Sequence, residues 1–425
     1  MKFSKFNVFF EHQNKKYVSN TYSKAVIVLD EKHYDILKNK KEQQLEEIKD
    51  DIACLSEQGI LVEDDLDEIG LLRYAYEQSK YSPEDMEFVI APTMQCNFKC
   101  SYCFEEHHSG NMSKTIQSKV LKFFEEKISK NNCKRVFFVW FGGEPLLCLD
   151  IIEDMTKKII EICQKYNVKI YINLITNGYL LNKHSIRKLE VAGVEHIQIT
   201  VDGIKKTHDQ RRMLKNGEGT FDVIYNNLSL FKNSKITVAV RVNIDSNNLN
   251  AYDKVVQLVE NLENPNIVCH PAIVVPTENQ EISQRNSCLS RCDMNHYYAG
   301  AVGEYYLKRR NSVLKSVTNN CGAEHFYSYV IDEKGLIYKC WNSIGYESQA
   351  LCSVDDELHK NSSIVSRYWG RDPFTEEECK DCAYIPICAG GCIEQMMQKG
   401  QHECVPEKYL YKEIIVRKLL DKTET

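Results

Sequence analysis

The 425 residues contain no apolar run of 18 residues, so no membrane-spanning helix and no membrane partner are expected. The opening residues, Met1-Lys2-Phe3-Ser4-Lys5, lack the apolar core of a secretory signal. Basic charge is not in excess. Fifty-four Lys and Arg stand against 60 Asp and Glu, a net charge of −6, so nothing draws the chain as a whole to nucleic acid. One residue type is abundant instead. Eighteen cysteines in an exported chain would mean disulfides; without a signal segment they favour metal binding in a reducing cytoplasm. With 43% hydrophobic residues, the chain can build two or three cored domains.

Three of the cysteines, Cys96, Cys100 and Cys103, fall in one short loop with C-x3-C-x2-C spacing, directly after an apolar run, Met86 to Ala91, that reads as a strand. Thiolates this close can share one metal centre. A [4Fe–4S] cube held by three Cys keeps one iron without a protein ligand. The competing reading is a zinc knuckle, but zinc favours four ligands and only His107 or His108 is near. The spacing, with Tyr102 just before the third Cys, resembles the signature of the radical S-adenosylmethionine (SAM) superfamily. The resemblance implies that the open iron chelates SAM. Reduction then yields a 5′-deoxyadenosyl radical that abstracts hydrogen, chemistry that belongs to the cofactors while the protein orients them. Oxygen-labile clusters fit the cytoplasm of an anaerobe.

Residues 1–85 read as strands over Phe6–Glu11, about Tyr17–Tyr22 and Lys24–Asp30, then helices over Glu31–Asn39 and Glu42–Gln58. Ile60-Leu61-Val62 reads as a small wing strand, and 64–81 as an acidic helical connector. The pattern resembles a winged-helix-like module that recognises the leader segment of ribosomally made peptides by adding a strand to a sheet edge. The plain alternative is an N-terminal cap on the main domain. From 86 to about 280 apolar runs at 86–91, 135–141, 168–175, 195–201, 235–244 and 266–275 alternate with helical stretches. Six βα repeats imply an α/β fold with a parallel sheet; the resemblance implies a partial (β/α)6 barrel.

The strand ends carry polar residues. After the second comes Gly142-Gly143-Glu144-Pro145, which resembles the segment that contacts the SAM amino group. Asn177 follows the third strand, and Thr200 and Asp202 end the fourth. The resemblance places these at the SAM ribose and carboxylate. The segment from His208 to Phe221 resembles the H-D-x-x-R … G-x-G-T-F element of the peptide-modifying branch, with Arg212 a guanidinium partner for the SAM carboxylate. Arg241, a charge inside the fifth apolar run, is a further candidate for that carboxylate. Tyr102 completes the expected cofactor-contacting set.

Residues 281–320 read as a helical bridge. Residues 321–425 hold C-x13-G-x4-C (Cys321, Gly335, Cys340), then Cys379-x2-Cys382-x5-Cys388-x3-Cys392, then Cys404. A zinc ribbon fits only part of this. The whole pattern resembles the Cys-rich SPASM domain, which implies two auxiliary [4Fe–4S] clusters and three in all. By motif position Cys379, Cys382, Cys388 and Cys404 would hold the outer one, and Cys321, Cys340 and Cys392 the inner one. Its fourth ligand would be Cys352, Cys288 or Cys292, or else one iron is open to a substrate thiolate. The resemblance implies a peptide maturase that takes electrons from a flavodoxin or ferredoxin and crosslinks a precursor peptide. A Cys thioether is expected, with a carbon–carbon crosslink or formylglycine formation as alternatives. No general acid or base stands out.

Overall fold

The computed structural model describes residues 1–274, 288, 321–356, 362–399 and 404–421. The N-terminal residues build a meander of three antiparallel strands, β2 (Asn7–His12), β3 (Lys15–Asn20) and β4 (Val26–Leu29), with β3 central. A two-residue strand β1 (Lys2–Phe3) pairs with β5 (Leu61–Val62). Helix α1 (Glu31–Lys38) starts where the Asp30 side chain accepts the His33 N–H. The single helix expected over Glu42–Gln58 is replaced by 3₁₀ turns over Glu42–Asp51, themselves kinked, and then α2 (Ile52–Glu57). The break is at Ile48, whose backbone leaves helical geometry (φ −123°, ψ 23°) while its side chain seats among Ile36, Leu37 and Leu55. Helix α3 (Glu68–Tyr81) closes this segment.

The next stretch follows the βα alternation. Strands β6 (Asp85–Ile90), β8 (Arg135–Trp140), β9 (Lys169–Thr176), β10 (His196–Thr200), β12 (Thr237–Ile244) and β13 (Ile267–Ile273) lie side by side in chain order, every pair parallel. Their central residues, such as Val136, Phe138 and Trp140, are buried because helices cover the sheet. These are α4 (Lys114–Lys130), α5 (Leu149–Lys165), α6 (Lys183–Val191), α8 (Phe221–Ser229) and α9 (Ala251–Glu260). Ser113 and Asn182 cap α4 and α6, and the Trp140 Nε1–H donates to Thr156 on α5 at 3.0 Å. Three elements were not foreseen: β7 (Phe98–Cys100) inside the cysteine loop, α7 (Lys205–Arg211) and β11 (Arg212–Leu214), which pairs with β7.

The sheet continues past β6. Strand β14 (Ser328–Ile331) lies parallel to β6, and β15 (Leu336–Tyr338) and β16 (Cys352–Ser353) extend it antiparallel to nine strands. Among the described residues its two ends, β13 and β16, do not pair. Helix α10 (Ser362–Trp369) follows. The C-terminal residues form short helices α11 (Ile385–Cys388), α12 (Ile393–Lys399) and α13 (Pro406–Tyr409), then α14 (Tyr411–Asp421).

The described chain falls into two compact units. One holds Ser82–Val274, Cys288 and Gly322–Gly370; the other holds Met1–Tyr81, Cys321 and Arg371–Asp421. In the second unit Phe6, Leu72 and Tyr76 pack against Phe374, Ile385 and Ala389, and Phe10 and Tyr17 against Ile387, Tyr411 and Ile415. The Thr21 hydroxyl donates to the Ala383 carbonyl at 2.5 Å. Among the described residues no helix is long and apolar enough to cross a membrane.

Candidate functional site

A cleft of about 260 Å³ opens at the carboxyl ends of the parallel strands, the usual site end of such sheets. Cys96, Cys100 and Cys103 line it together with Tyr102, Gly142, Gly143, Asn177, Thr200, Arg212 and Arg241. Ten of the residues expected at a SAM-binding centre therefore share one cavity. The strand pleat explains Arg241 and Asn243, which also lines the cleft. Residues 239, 241 and 243 of β12 alternate with buried Val238, Val240 and Val242, so Arg241 and Asn243 face away from the helices. Arg241 finds its partner there, its Nε–H donating to Asn243 Oδ1 at 2.8 Å.

The cysteine loop is pinned by a polar network. The Tyr102 hydroxyl donates to Asp202 Oδ2 at 2.5 Å and accepts from Arg212 Nη1 (2.7 Å) and Asn243 Nδ2 (3.0 Å). Arg211 joins Asp202 and Asp245, and its guanidinium lies over the Tyr102 ring at 4.8 Å. Burial, then the neighbouring Asp202 charge, keeps the Tyr102 phenol protonated. Asp202, fully buried, thus stands behind the cleft rather than in it. His208 and Asp209 also have structural work. His208 Nδ1 accepts from the Asp202 N–H, and Asp209 Oδ1 accepts from the Thr220 and Phe221 N–H groups at 2.8 and 2.9 Å.

Gly142 and Gly143 lie against the backbone of the cysteine loop. A Cβ on Gly142, where φ is 104°, would strike the Thr93 carbonyl, and one on Gly143 would strike the Gln95 carbonyl. Glu144 is fully buried and does not line the cleft. Its Oε1 accepts from the Leu146 N–H (2.9 Å) and the Thr176 hydroxyl (2.7 Å), and its Oε2 from the Asn177 N–H (2.8 Å). It ties the β8 loop to the end of β9. The carboxylate that does reach the cleft is Glu105, which the sequence reading missed. Its position two residues past the third Cys was the available signal.

The residues fit the group that the loop implies. Without a cation the thiols stay protonated: burial pushes Cys96 up to about 12 and raises Cys100 and Cys103. A bound metal would deprotonate them. Two buried polar atoms of the cleft, Arg212 Nε and Glu105 Oε2, have no hydrogen-bond partner. A guanidinium N–H and a carboxylate oxygen left open in one cavity match the carboxylate and ammonium of an amino-acid ligand. Among the described residues no three or more His, Cys, Asp or Glu side chains close on a single metal ion. A mononuclear zinc site would need sulfurs about 3.8 Å apart.

The C-terminal cysteines gather separately. Cys388 and Cys404 share a hydrogen bond, and Cys379 lies within electrostatic reach of Cys382 and Cys404. All four expected outer ligands are thus neighbours in one unit. The chain makes room for them through Ala389, Gly390 and Gly391, three successive residues at positive φ between Cys388 and Cys392. Gly390 is held by Arg371, which donates to its carbonyl at 2.6 Å while pairing with both oxygens of Glu376. Of the expected inner ligands, Cys321 and Cys392 belong to this unit and Cys340 to the other. Cys352 is buried on β16, near Lys127 and Tyr329. Cys292 lies outside the described residues.

The radical SAM superfamily model matches residues 90–280, the stretch that builds the parallel sheet and the cleft. Among characterised proteins the chain is similar to the cysteine-type anaerobic sulfatase-maturating enzyme of Clostridium novyi (strain NT), 24% identical over 73% of this chain and 88% of that one. It is also similar to the serine-type enzyme of Klebsiella aerogenes, 23% identical over 76% and 83%. Among solved structures, anSMEcpe with bound AdoMet and a peptide matches at a TM-score of 0.62 and 21% identity, over 77% of this chain and 98% of that one. Streptococcus suis SuiB matches at 0.53 and 15% identity, over 94% and 97%.

Proposed function

We propose that this chain is a radical SAM peptide maturase that forms an intramolecular crosslink, a thioether from a Cys sulfur to a carbon, in a precursor peptide. The observation that carries the reading is the pairing of a three-thiol cleft with a separate four-thiol centre. When bound, SAM on a reduced [4Fe–4S] cluster supplies a hydrogen-abstracting radical. Cys96, Cys100 and Cys103 hold that cluster. Arg212 offers its open Nε–H to the SAM carboxylate, Glu105 its open oxygen to the ammonium, and Gly142 and Gly143 let backbone approach. Asn177, Thr200 and Arg241 line the remaining wall. Cys379, Cys382, Cys388 and Cys404 hold an outer auxiliary cluster. Cys321, Cys340 and Cys392 hold an inner one, where an open iron would take the substrate thiolate. Among the described residues the outer edges of β2 and β4 are unpaired, and there a leader segment would add a strand. A flavodoxin or ferredoxin would deliver the electrons in the cytoplasm.

A second reading, oxidation of a Cys or Ser to formylglycine, is favoured by the sulfatase-maturating relatives. Against it, the match to anSMEcpe leaves about a quarter of this chain uncovered, whereas that to SuiB covers 94%. The test is an anaerobic reaction with a co-expressed Cys-containing peptide, read by tandem mass spectrometry. Loss of two hydrogens with fragmentation blocked between Cys and an acceptor establishes the thioether. The same loss with the Cys still alkylatable gives a carbon–carbon bond. A hydrazide-reactive aldehyde without a ring gives the sulfatase-maturase activity.

A further inference from the structure

Lys408 stands four residues past Cys404, on the one-turn helix α13, and its Nζ lies 3.3 Å from the Cys404 sulfur. Its ammonium also interacts with Cys382 and Cys388, so it faces three of the four outer thiols. The residue is partly buried, and among the described residues it forms no ion pair with a carboxylate. The nearby acid at Cys379, Glu376, is already taken by Arg371 in a two-pronged pair. A partly buried ammonium needs a counter-charge. Thiolates around a cluster provide one, and Cys404 is the sulfur nearest to it.

We propose that Lys408 sets the reduction potential of the outer auxiliary cluster, holding it above that of the cluster in the cleft. This rests on the four-thiol centre proposed above. One electron entering the cluster adds one negative charge to the sulfur cage. A cation at hydrogen-bond distance from a ligand sulfur stabilises the reduced form more than the oxidised form. The centre would then accept an electron readily from a strongly reducing partner, such as the carbon radical oxidised as the crosslink closes.

The experiment is an EPR-monitored titration with dithionite on reconstituted full-length protein in which Cys96, Cys100 and Cys103 are Ala, so that the cleft cluster is silent. The outer signal is identified as the one that Cys379→Ala removes. Lys408→Gln is expected to lower its midpoint by at least ~59 mV, a tenfold change in a one-electron equilibrium. Lys408→Arg, which keeps the charge, is expected to hold the parent value. In protein with all its cysteines the outer cluster should be reduced before the cleft cluster, a comparison that needs no Lys408 variant. An unshifted midpoint in Lys408→Gln with full iron, an equal drop in Lys408→Arg, or the cleft cluster reducing first would overturn the proposal. A signal and iron content unchanged by Cys379→Ala would instead remove the outer-cluster reading itself.

Discussion

Tyr102 shows how much a single hydroxyl can organise. It links the cysteine loop to Asp202, Arg212 and Asn243, three residues from three other segments. Tyr102→Phe keeps the ring under Arg211 and removes all three bonds. Asp202 retains Arg211 and the Asn243 N–H, so the expected loss is about 1–3 kcal/mol, read from urea midpoints of the apoprotein. An unchanged midpoint would show that the network does not tie down the loop. His208 gives a prediction in pH. It is fully buried, and burial, then the Arg212 charge, lowers its pKa to about 3; Asp209 opposes this and Arg211 adds to it. The folded value lies below the unfolded one of ~6.5. Its contribution is therefore complete above pH 6.5 and is lost as pH falls toward 3. The loss amounts to on the order of 4 kcal/mol across that window. His208→Gln, which cannot ionise, should be less stable near neutrality but lose less between pH 7 and pH 4. Parallel losses in the two apoproteins would refute this.

The elements divide by how locally they are specified. The six parallel strands were legible from near-continuous apolar runs such as Val136 to Phe141, even though Phe137 in that run is exposed. The helices between them were legible from caps and periodicity. The β7–β11 pair was not: three residues each, with a pairing set by where the cysteine loop lands. Nor was β14, an apolar strand whose place beside β6 no local pattern records. The Glu42–Gln58 break escaped because Leu45, Ile48, Ile52 and Leu55 keep helical spacing through it. At the cleft, residue types were readable but not which atoms remain open. Glu144 looked like a ligand contact and is saturated by its own chain, whereas Glu105 carries the open oxygen. The closest fit between two loops, Gly143 against the backbone of Met94 and Gln95, gives an element-scale prediction. Gly143→Ala must push the β8 loop off the cysteine loop. Its SAM affinity, measured by anaerobic equilibrium dialysis, should fall at least ~10-fold, or about 1.4 kcal/mol. Wild-type affinity would mean that the contact does not shape the cleft.

At the scale of the whole molecule, the N-terminal residues share a core with the chain's far end. Phe6, 1% exposed, packs with Leu72 and Tyr76 around Phe374, Ile385 and Ala389, and the same cluster contains Cys379. The meander adds Phe10 and Tyr17 against Ile387 and Tyr411, and a Ser19–Tyr411 hydroxyl contact at 2.8 Å. Sequence separations of about 300 residues and more put this packing beyond any local pattern. It ties a strand-and-helix segment, recognisable by itself, to the loop of the outer cysteines. Removing residues 1–81 should therefore disturb the outer cysteines as well. It strips the apolar cover from Cys379 and from Ile387 beside Cys388, exposing a hydrophobic face in the shortened chain. After anaerobic reconstitution the truncated protein should lack the iron and the EPR signal of the outer cluster, while keeping those of the cleft. Phe6→Ala, at a cost of about 3–5 kcal/mol, should weaken the same signal and leave the cleft signal in place. If the truncated chain keeps every cluster and stays monodisperse, residues 1–81 are a detachable module and the shared core is not what supports the outer cysteines.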